Sequence, residues 1–472
     1  MDTFSKTKIV CTIGPACNSP AVMEEMVTAG MSVARLNFSH GTLSDHELNI
    51  SNIRLTSSRL KKPVAIIQDL SGPKIRIGTL SQESILLKAG NEFTLTNEVI
   101  EGEETRVSVT YPLLPSYVFV GDTVLLCDGE IELKVVRKDT TDIVCQVIVG
   151  GVLTARKGIN IPTRSLPIPS LTEKDKRDLD FGIEHDVDYV ALSFVKNADD
   201  VLQLKELLRE KNKDIPVIAK IEKHEALDHL EDIIKAADAI MVARGDLGVE
   251  IPLEQIPLVQ KRIIQIANRY CKPVITATQM LESMVNNYRP TRAEITDVAN
   301  AIFDGSDAVM LSEETAKGRY PVEAVRMLSK IARETEPSVA RKTDFETLRF
   351  ANNPITVPDA ISIATCQVAG NLHINVIITP TQTGSTARFI SRHRSQHLIL
   401  AATPSLKTYR RLALVWGVIP MITEPLKNTD DMMKKSIEAA REAGYISEGE
   451  KVVITGGVPV WEPGSTNLMR VC

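Results

Sequence analysis

The sequence predicts an α/β protein. Its main body is a (β/α)8 TIM barrel, with an antiparallel β-barrel lid domain inserted after the third strand and an open α/β domain at the C-terminal end. Three observations carry this reading. Eight apolar runs of strand length recur through 1–71 and 166–343, each nearly continuous in hydrophobicity, as parallel strands covered on both faces are. Helix-patterned stretches separate most of them, and alternation of strand and helix with eight strands closes into a barrel. The rhythm breaks twice, across 72–165 and again over 344–472.

The barrel runs are Lys8–Gly14, Val33–Ser39, Val64–Leu70, Asp188–Val195, Val217–Glu222, Ala239–Asp246, Val274–Met280 and Ala308–Glu313. Between them Pro20–Ala29, Ser44–Arg59, Thr172–Glu184, Ala198–Glu210, Glu254–Asn268 and Pro321–Glu336 carry apolar residues at helical spacing. Thr172-Glu173-Lys174-Asp175 reads as a helix N-terminus. Within 72–165, alternating runs at Ser84–Leu87, Glu92–Leu95, Arg106–Thr110, Thr123–Cys127, Ile131–Val136 and Ile143–Val147 are broken by glycines and Asp-Gly turns, the pattern of a small antiparallel domain. Pro162, Pro167 and Pro169 mark the return to the barrel and restrict the hinge. A domain tethered at two points moves as a lid or stands as a scaffold. Beyond 344, runs at Val376–Pro380, Leu398–Ala402, Val418–Ile422, Lys451–Thr455 and Asn467–Val471 build the open sheet.

Composition narrows the function. The chain has 472 residues, 43% hydrophobic and 24% charged, ordinary for a soluble globular protein. A net charge of −5 gives no global attraction to nucleic acid or acidic membranes. No apolar run approaches the roughly 18 to 20 residues of a spanning helix, and the N-terminus has no signal-peptide core. Seven cysteines show no paired metal spacing, so reduced thiols in a cytoplasmic protein are expected.

The strand ends carry the chemistry, because active sites of such barrels lie where the strands finish. Glu222 and Asp246 end neighbouring strands and suit one hard divalent ion, Mg²⁺ or Mn²⁺; a salt-bridged pair of structural acids is the alternative. Lys220 stands two before Glu222, so both point the same way, either as a structural pair or to stabilise developing negative charge. Arg35, Asn37 and Ser39 alternate along the second strand and should share its inward face. Arg35, Lys74, Arg76, Lys157 and Lys220 together suggest a polyphosphate site, although each alone reads as a surface charge. In the last domain, Thr381, Thr383, Gly384, Ser385 and Thr386 lie between a strand and a helix and suit a phosphate, or equally a capped helix start.

These motifs resemble the pyruvate kinase family over essentially the whole chain. The resemblance rests on Ile218-Ala219-Lys220-Ile221-Glu222, on Arg35-Leu36-Asn37-Phe38-Ser39-His40-Gly41, on Met241-Val242-Ala243-Arg244-Gly245-Asp246-Leu247-Gly248, and on Thr276-Ala277-Thr278-Gln279-Met280. It extends to Arg289-Pro290-Thr291-Arg292-Ala293-Glu294 and Asp304-Gly305-Ser306-Asp307-Ala308. The resemblance implies phosphoryl transfer from phosphoenolpyruvate to ADP, giving pyruvate and ATP in glycolysis. It implies metal ligands at Glu222 and Asp246, charge neutralisation by Lys220, and a substrate carboxylate held by the amides near Gly245 and Asp246 with Thr278. Arg35 would contact the phosphoryl group, and Arg76, Lys157 and His40 the nucleotide. Thr278 with Ser312 and Glu314 would form the water-linked route that protonates the enolate. A homotetramer regulated by a phosphorylated effector is also implied.

Two departures matter. Many relatives hold K⁺ through groups matching Asn37, Ser39 and Asp69, with threonine at Leu70 and glutamate at Lys74. The Lys74 ammonium is therefore expected to substitute for K⁺. Gly456-Gly457-Val458-Pro459 stands where bisphosphate responders often carry an arginine, and the adjoining loop is Trp461-Glu462-Pro463-Gly464-Ser465. A lost arginine removes a partner for a second phosphate, so a sugar monophosphate or AMP is the expected effector. The competing reading is a Mg²⁺-dependent lyase or mutase acting on phosphoenolpyruvate.

Overall fold

A computed structural model describes residues 5–162, 164–339, 355–425, 427–460 and 466–472 of the chain. Strands are numbered in chain order. β1 (Lys8–Thr12), β2 (Met31–Asn37) and β3 (Ala65–Asp69) open the barrel. The inserted unit follows as β4 (Ser84–Leu87), β5 (Glu92–Thr96), β6 (Arg106–Ser108), β7 (Thr123–Leu126), β8 (Ile131–Lys138), β9 (Asp142–Val149), β10 (Gly151–Thr154) and β11 (Ile159–Asn160). The barrel resumes with β12 (Tyr189–Leu192), β13 (Val217–Ile221), β14 (Ala239–Ala243), β15 (Val274–Ala277) and β16 (Ala308–Leu311).

The eight barrel strands close in the order β1-β16-β15-β14-β13-β12-β3-β2, and every pair is parallel. Nearly every position on them is buried, which is why they read as unbroken apolar runs. Small Ala65, Ala191, Ala239, Ala277 and Ala308 share the interior with Val10, Ile67, Ile218, Met241 and Ile275, so the ring is filled rather than open. The outer faces pack on the surrounding helices in a larger aliphatic core. Parallel closure delivers all eight C-terminal strand ends to one rim.

The inserted unit divides its strands between a six-stranded sheet, β11-β7-β8-β9-β5-β6, and a two-stranded ribbon, β10-β4. All its pairings are antiparallel except β5 with β6, which run parallel. Ile77, Phe93, Leu95 and Leu133 are fully buried in its own aliphatic core. The C-terminal unit is an open sheet, β17 (Val376–Pro380), β18 (Leu398–Thr403), β19 (Val418–Ile422), β20 (Val453–Gly457) and β21 (Thr466–Val471). Its order is β19-β18-β17-β20-β21, with β21 antiparallel at the edge. All seven cysteines are free, and among the described residues no helix is long and apolar enough to cross a membrane.

One expectation about facing fails. β2 stops at Asn37, and the chain turns: His40 N–H donates to the Asn37 carbonyl at 3.2 Å and Ser39 N–H to Asn37 Oδ1 at 3.1 Å. Ser39 is exposed in that turn and does not continue the alternation of Arg35 and Asn37.

Candidate active site

Lys220 and Glu222 finish β13 on the same side. Lys220 Nζ lies 2.7 Å from Glu222 Oε1 and 3.3 Å from Asp69 Oδ1, and donates to Ser193 Oγ at 2.8 Å. Burial opposes the charge on Lys220, yet Asp69 and Glu222 outweigh it and hold the ammonium above its ordinary pKa. Asp69 at the end of β3 is 1% exposed and also accepts from Arg35 Nε at 2.6 Å. Burial works against its charge too, but Lys220 and Arg35 keep its carboxyl below the usual range. Arg35 Nη1 donates to Thr12 Oγ1 at 2.9 Å, so the guanidinium is fixed from both sides.

Glu222 Oε2 accepts the Phe194 N–H at 2.8 Å. Burial and the neighbouring Asp246 raise the Glu222 carboxyl against the pull of Lys220. Asp246 stands in the first turn of the helix Arg244–Glu250, directly after β14. Its side chain is 31% exposed, with Oδ1 3.6 Å from Lys74 Nζ.

The Gly245 N–H donates to Thr278 Oγ1 at 2.8 Å, and a Cβ at Gly245 would sit 3.5 Å from that oxygen. The Gly245 amide is thus held by the Thr278 hydroxyl at the start of the helix. Thr278 has φ +66 and Gln279 φ +54, a strained left-handed pair that is rare for a β-branched residue. Arg244 holds this turn: Nη2 donates to the Thr278 carbonyl at 2.7 Å, Nε to the Ala277 carbonyl at 3.3 Å, and Nη1 pairs with Asp297 Oδ2 at 2.7 Å. Strain held by a dedicated ion pair marks a site that uses it.

Glu314 is 2% exposed, and burial raises its carboxyl. Its oxygens accept from the Leu281 N–H at 3.1 Å and the Ser312 N–H at 2.7 Å. Neither Ser312 nor Glu314 is hydrogen-bonded to Thr278. Glu313 is exposed and pairs with Lys317 at 2.8 Å, so it leaves the Ser312 and Glu314 positions uncrowded.

Lys74 does not sit among Asn37, Ser39 and Asp69. Its ammonium pairs with Asp128 of the inserted unit at 3.2 Å and with Asp246. Leu70 is 1% exposed in the barrel core and offers no polar side chain. Arg76 Nη1 donates to the Arg156 carbonyl at 3.0 Å, while Lys157 and His40 are exposed.

In the C-terminal unit, Gly384 has φ +82, and a Cβ there would lie 2.9 Å from Leu412 Cδ2. Thr381 Oγ1 accepts the Gly384 N–H at 2.9 Å, and Thr386 Oγ1 meets Thr466 Oγ1 at 2.8 Å. The Thr381 hydroxyl is engaged within the loop and that of Thr386 with β21; Thr383 is exposed and Ser385 half-buried. Residues 461–465 lie outside the described residues.

Two model families match the chain. The pyruvate kinase barrel domain covers residues 4–325, and the pyruvate kinase alpha/beta domain covers residues 359–472. The chain belongs to the pyruvate kinase family. It is 48% identical over 465 residues to a pyruvate kinase of Thermotoga maritima, an alignment spanning 98% of both chains. It is 47% identical over 469 residues to the pyruvate kinase of Geobacillus stearothermophilus, covering 99% of this chain and 80% of that one. A crystal structure of a pyruvate kinase from Cryptosporidium parvum superposes with a TM-score of 0.93 at 38% identity, over 99% of this chain and 96% of that one.

The sequence alone did not single out several polar residues around the rim. Thr12 and Ser193 are buried hydroxyls at the ends of apolar runs, and only their position at a strand end signals them. His224, Glu225 and Glu250 bring their polar atoms within 4.8 Å of one another. Lys223 Nζ and the lid's Asn160 Nδ2 both reach Glu250 Oε1, at 2.7 and 3.0 Å, so this cluster ties the inserted unit to the barrel.

Proposed function

We propose that the chain transfers phosphoryl from phosphoenolpyruvate to ADP, in line, and then protonates the enolate to give pyruvate and ATP. One observation carries this reading: a buried, charged lysine flanked by Asp69 and Glu222 shares a rim with a helix start at Gly245–Asp246 and the strained Thr278 turn. Both substrates are anions, and two like charges 4 Å apart repel by roughly 4 kcal/mol at an effective dielectric near 20. Lys220 and Arg35 offset that repulsion at the transferring group. The charge on Lys220 is fixed by its carboxylate partners, so it neutralises and does not deliver the proton. The Gly245 and Asp246 amides receive the substrate carboxylate beside Thr278, whose hydroxyl accepts the Gly245 N–H.

Glu222 and Asp246 fit a hard divalent ion, because both offer carboxylate oxygen and their crowding already raises Glu222. Mg²⁺ or Mn²⁺ bound there would neutralise phosphoryl and enolate oxygens. Arg76, Lys157 and His40 take the nucleotide from the lid side and from the loop after β2. Closing the lid excludes water, a competing phosphoryl acceptor. Thr278, with Ser312 and Glu314 behind it, lies on the proton route to the enolate. Lys74 supplies the monovalent charge against Asp246 and Asp128, which replaces K⁺ by a different placement from the one expected at Asn37, Ser39 and Asp69.

The same reading assigns the barrel to 1–71 and 166–343, the lid to 72–165 and the regulatory unit to 344–472. It assigns Thr381, Thr383, Gly384, Ser385 and Thr386 to a sugar monophosphate or AMP, and places a homotetramer in the cytoplasm. The test is a coupled assay with phosphoenolpyruvate, ADP and Mg²⁺ in tetramethylammonium buffer. ATP and pyruvate should appear together, and Lys220→Met should abolish both while substrate still binds. Pyruvate without ATP would point to a lyase. Strong activation on adding K⁺ would remove Lys74 from its role.

A further inference from the structure

We propose that Ser193 and Phe194, at the end of β12, form a positioning pair that orients Lys220 and Glu222 and links both to the lid hinge. The proposal rests on the reading of Lys220 and Glu222 given above.

Ser193 is 2% exposed. Its hydroxyl accepts from Lys220 Nζ at 2.8 Å and donates to the Leu70 carbonyl at 2.8 Å. A hydroxyl has one proton to give, so the bond to Leu70 fixes which lone pair faces the ammonium. Lys220 thereby contacts two carboxylates and one oxygen whose orientation is fixed. Without that oxygen, a flexible four-carbon stem would settle deeper against Asp69 and Glu222.

The next residue completes the pair. The Phe194 N–H holds Glu222 Oε2 at 2.8 Å, and its carbonyl accepts from Ser170 Oγ at 3.0 Å. Phe194 has φ +57, a left-handed conformation held for a purpose. That turn places the amide on Glu222.

The ring meets the hinge. Gly72 begins the crossing into the lid, has φ +65, and a Cβ there would lie 2.6 Å from Phe194 Cδ2 and 3.0 Å from Ser193 Cβ. Gly72 is therefore the residue against which this pair rests. Phe194 also borders a cavity of about 60 Å³ between lid and barrel, walled by Pro73, Ile75, Ile161 and Ile168. The ring touches Gly72 and borders this space, so hinge movement can shift it. Movement of 72–75 then reaches Ser193 and Phe194 by contact, and through them the ammonium and the metal-binding carboxylate.

The test compares purified variants. Ser193→Ala should lower kcat about ten- to hundred-fold, the scale of one hydrogen bond to a charged group, with KM for phosphoenolpyruvate little changed. Mn²⁺ affinity, read by electron paramagnetic resonance without substrate, should stay near that of the parent, because Phe194 still holds Glu222. Ser193→Thr, which keeps the hydroxyl, should recover most of kcat. Phe194→Ala should leave Mn²⁺ binding intact but erase the change in hydrogen exchange at residues 72–77 on adding Mn²⁺ and oxalate. Parental kcat in Ser193→Ala, or a loss matched by an equal loss of Mn²⁺ binding, would overturn the proposal. So would an unchanged hinge response in Phe194→Ala. Lys220→Met run alongside separates two failures. Transfer surviving in it sinks the assignment of Lys220 and this proposal together; transfer lost there but intact in Ser193→Ala sinks this proposal alone.

Discussion

Asp69 holds two cations with one buried carboxylate, and much of the site's order depends on it. Arg35 Nε at 2.6 Å and Lys220 Nζ at 3.3 Å both face it. Removing one partner of a buried pair leaves the others uncompensated, so Asp69→Asn should destabilise the chain by about 3 kcal/mol in urea titration. The pH dependence has a definite sign. The folded carboxyl is held below its ordinary pKa, so its contribution is complete above about pH 4 and is lost as pH falls further. Acid titration of stability should therefore be steeper in the parent than in Asp69→Asn; identical slopes would refute the assignment. Asp69, Lys220, Glu222 and Asp246 were legible in the sequence because a charge that closes a buried apolar run has few structural reasons to be there. Ser193 was not, since a hydroxyl interrupts such a run without cost once it finds one acceptor. The partners of Lys74 were hidden for another reason: Asp128 arrives from the lid, across a contact that sequence spacing does not encode.

Elements were easier to read than their partners. The barrel strands end within a few residues of the apolar runs, because strands buried on both faces tolerate no polar interruption. Ala198–Glu210 forms as a helix with the expected bounds, capped by Asn197, and Thr172 caps the helix Glu173–Glu184 as its pattern predicts. The lid was read less completely. β11 has two residues and leaves no period, β10 starts on a glycine and buries only Leu153, and the parallel pairing of β5 with β6 is not encoded in local sequence. The Thr172 cap does more than start a helix. Asp175 Oδ2 accepts from Thr172 N–H and Oγ1, while Oδ1 accepts the Gly72 N–H at 3.2 Å. One carboxylate thus secures a helix N-terminus and the chain at Gly72. Asp175→Ala should cost about 2 kcal/mol, the upper range for a capping residue. Amide exchange at Gly72 should accelerate together with that of the helix start; acceleration confined to the helix would show that the hinge is held by other contacts.

Across the whole molecule, the N-terminal strand joins the barrel to the C-terminal unit. Lys6 Nζ donates to the Ser395 carbonyl at 2.9 Å, and the Gly417 N–H returns a bond to the Lys6 carbonyl at 2.8 Å. Lys8 Nζ donates to the Val418 carbonyl at 2.7 Å. Arg394 reaches down from the C-terminal unit to Asp307 Oδ2 at 2.9 Å, at the foot of β16, whose other end carries Ser312 and Glu314. This joint is one of several between the two units, beside Arg410 Nε to Asp188 Oδ1 at 2.7 Å and the Tyr189 hydroxyl to the Arg411 carbonyl at 2.9 Å. Its two lysines make it sensitive to pH. Burial lowers Lys6 to about 8 and Lys8 to about 7, against the opposing pull of Glu336 on both and of Asp307 on Lys8. Unfolded lysines keep their protons to about pH 10.4. Between about pH 7 and pH 8 these two side chains bind more protons unfolded than folded, and stability rises with pH; toward pH 9 the thiols of Cys11, Cys17, Cys145 and Cys366, raised by burial, act in the opposite sense. Urea midpoints followed by tryptophan fluorescence should climb from about pH 7 to about pH 8, since Trp416 is buried at the joint with Lys6 Nζ 5.2 Å from its ring. Lys8→Met should flatten the climb, because a neutral side chain of similar length leaves nothing to deprotonate there. A parent profile that is level, or that falls over this range, would mean that both ammonium groups stay charged in the folded chain and that their carbonyl partners, rather than burial, set the energetics of the joint.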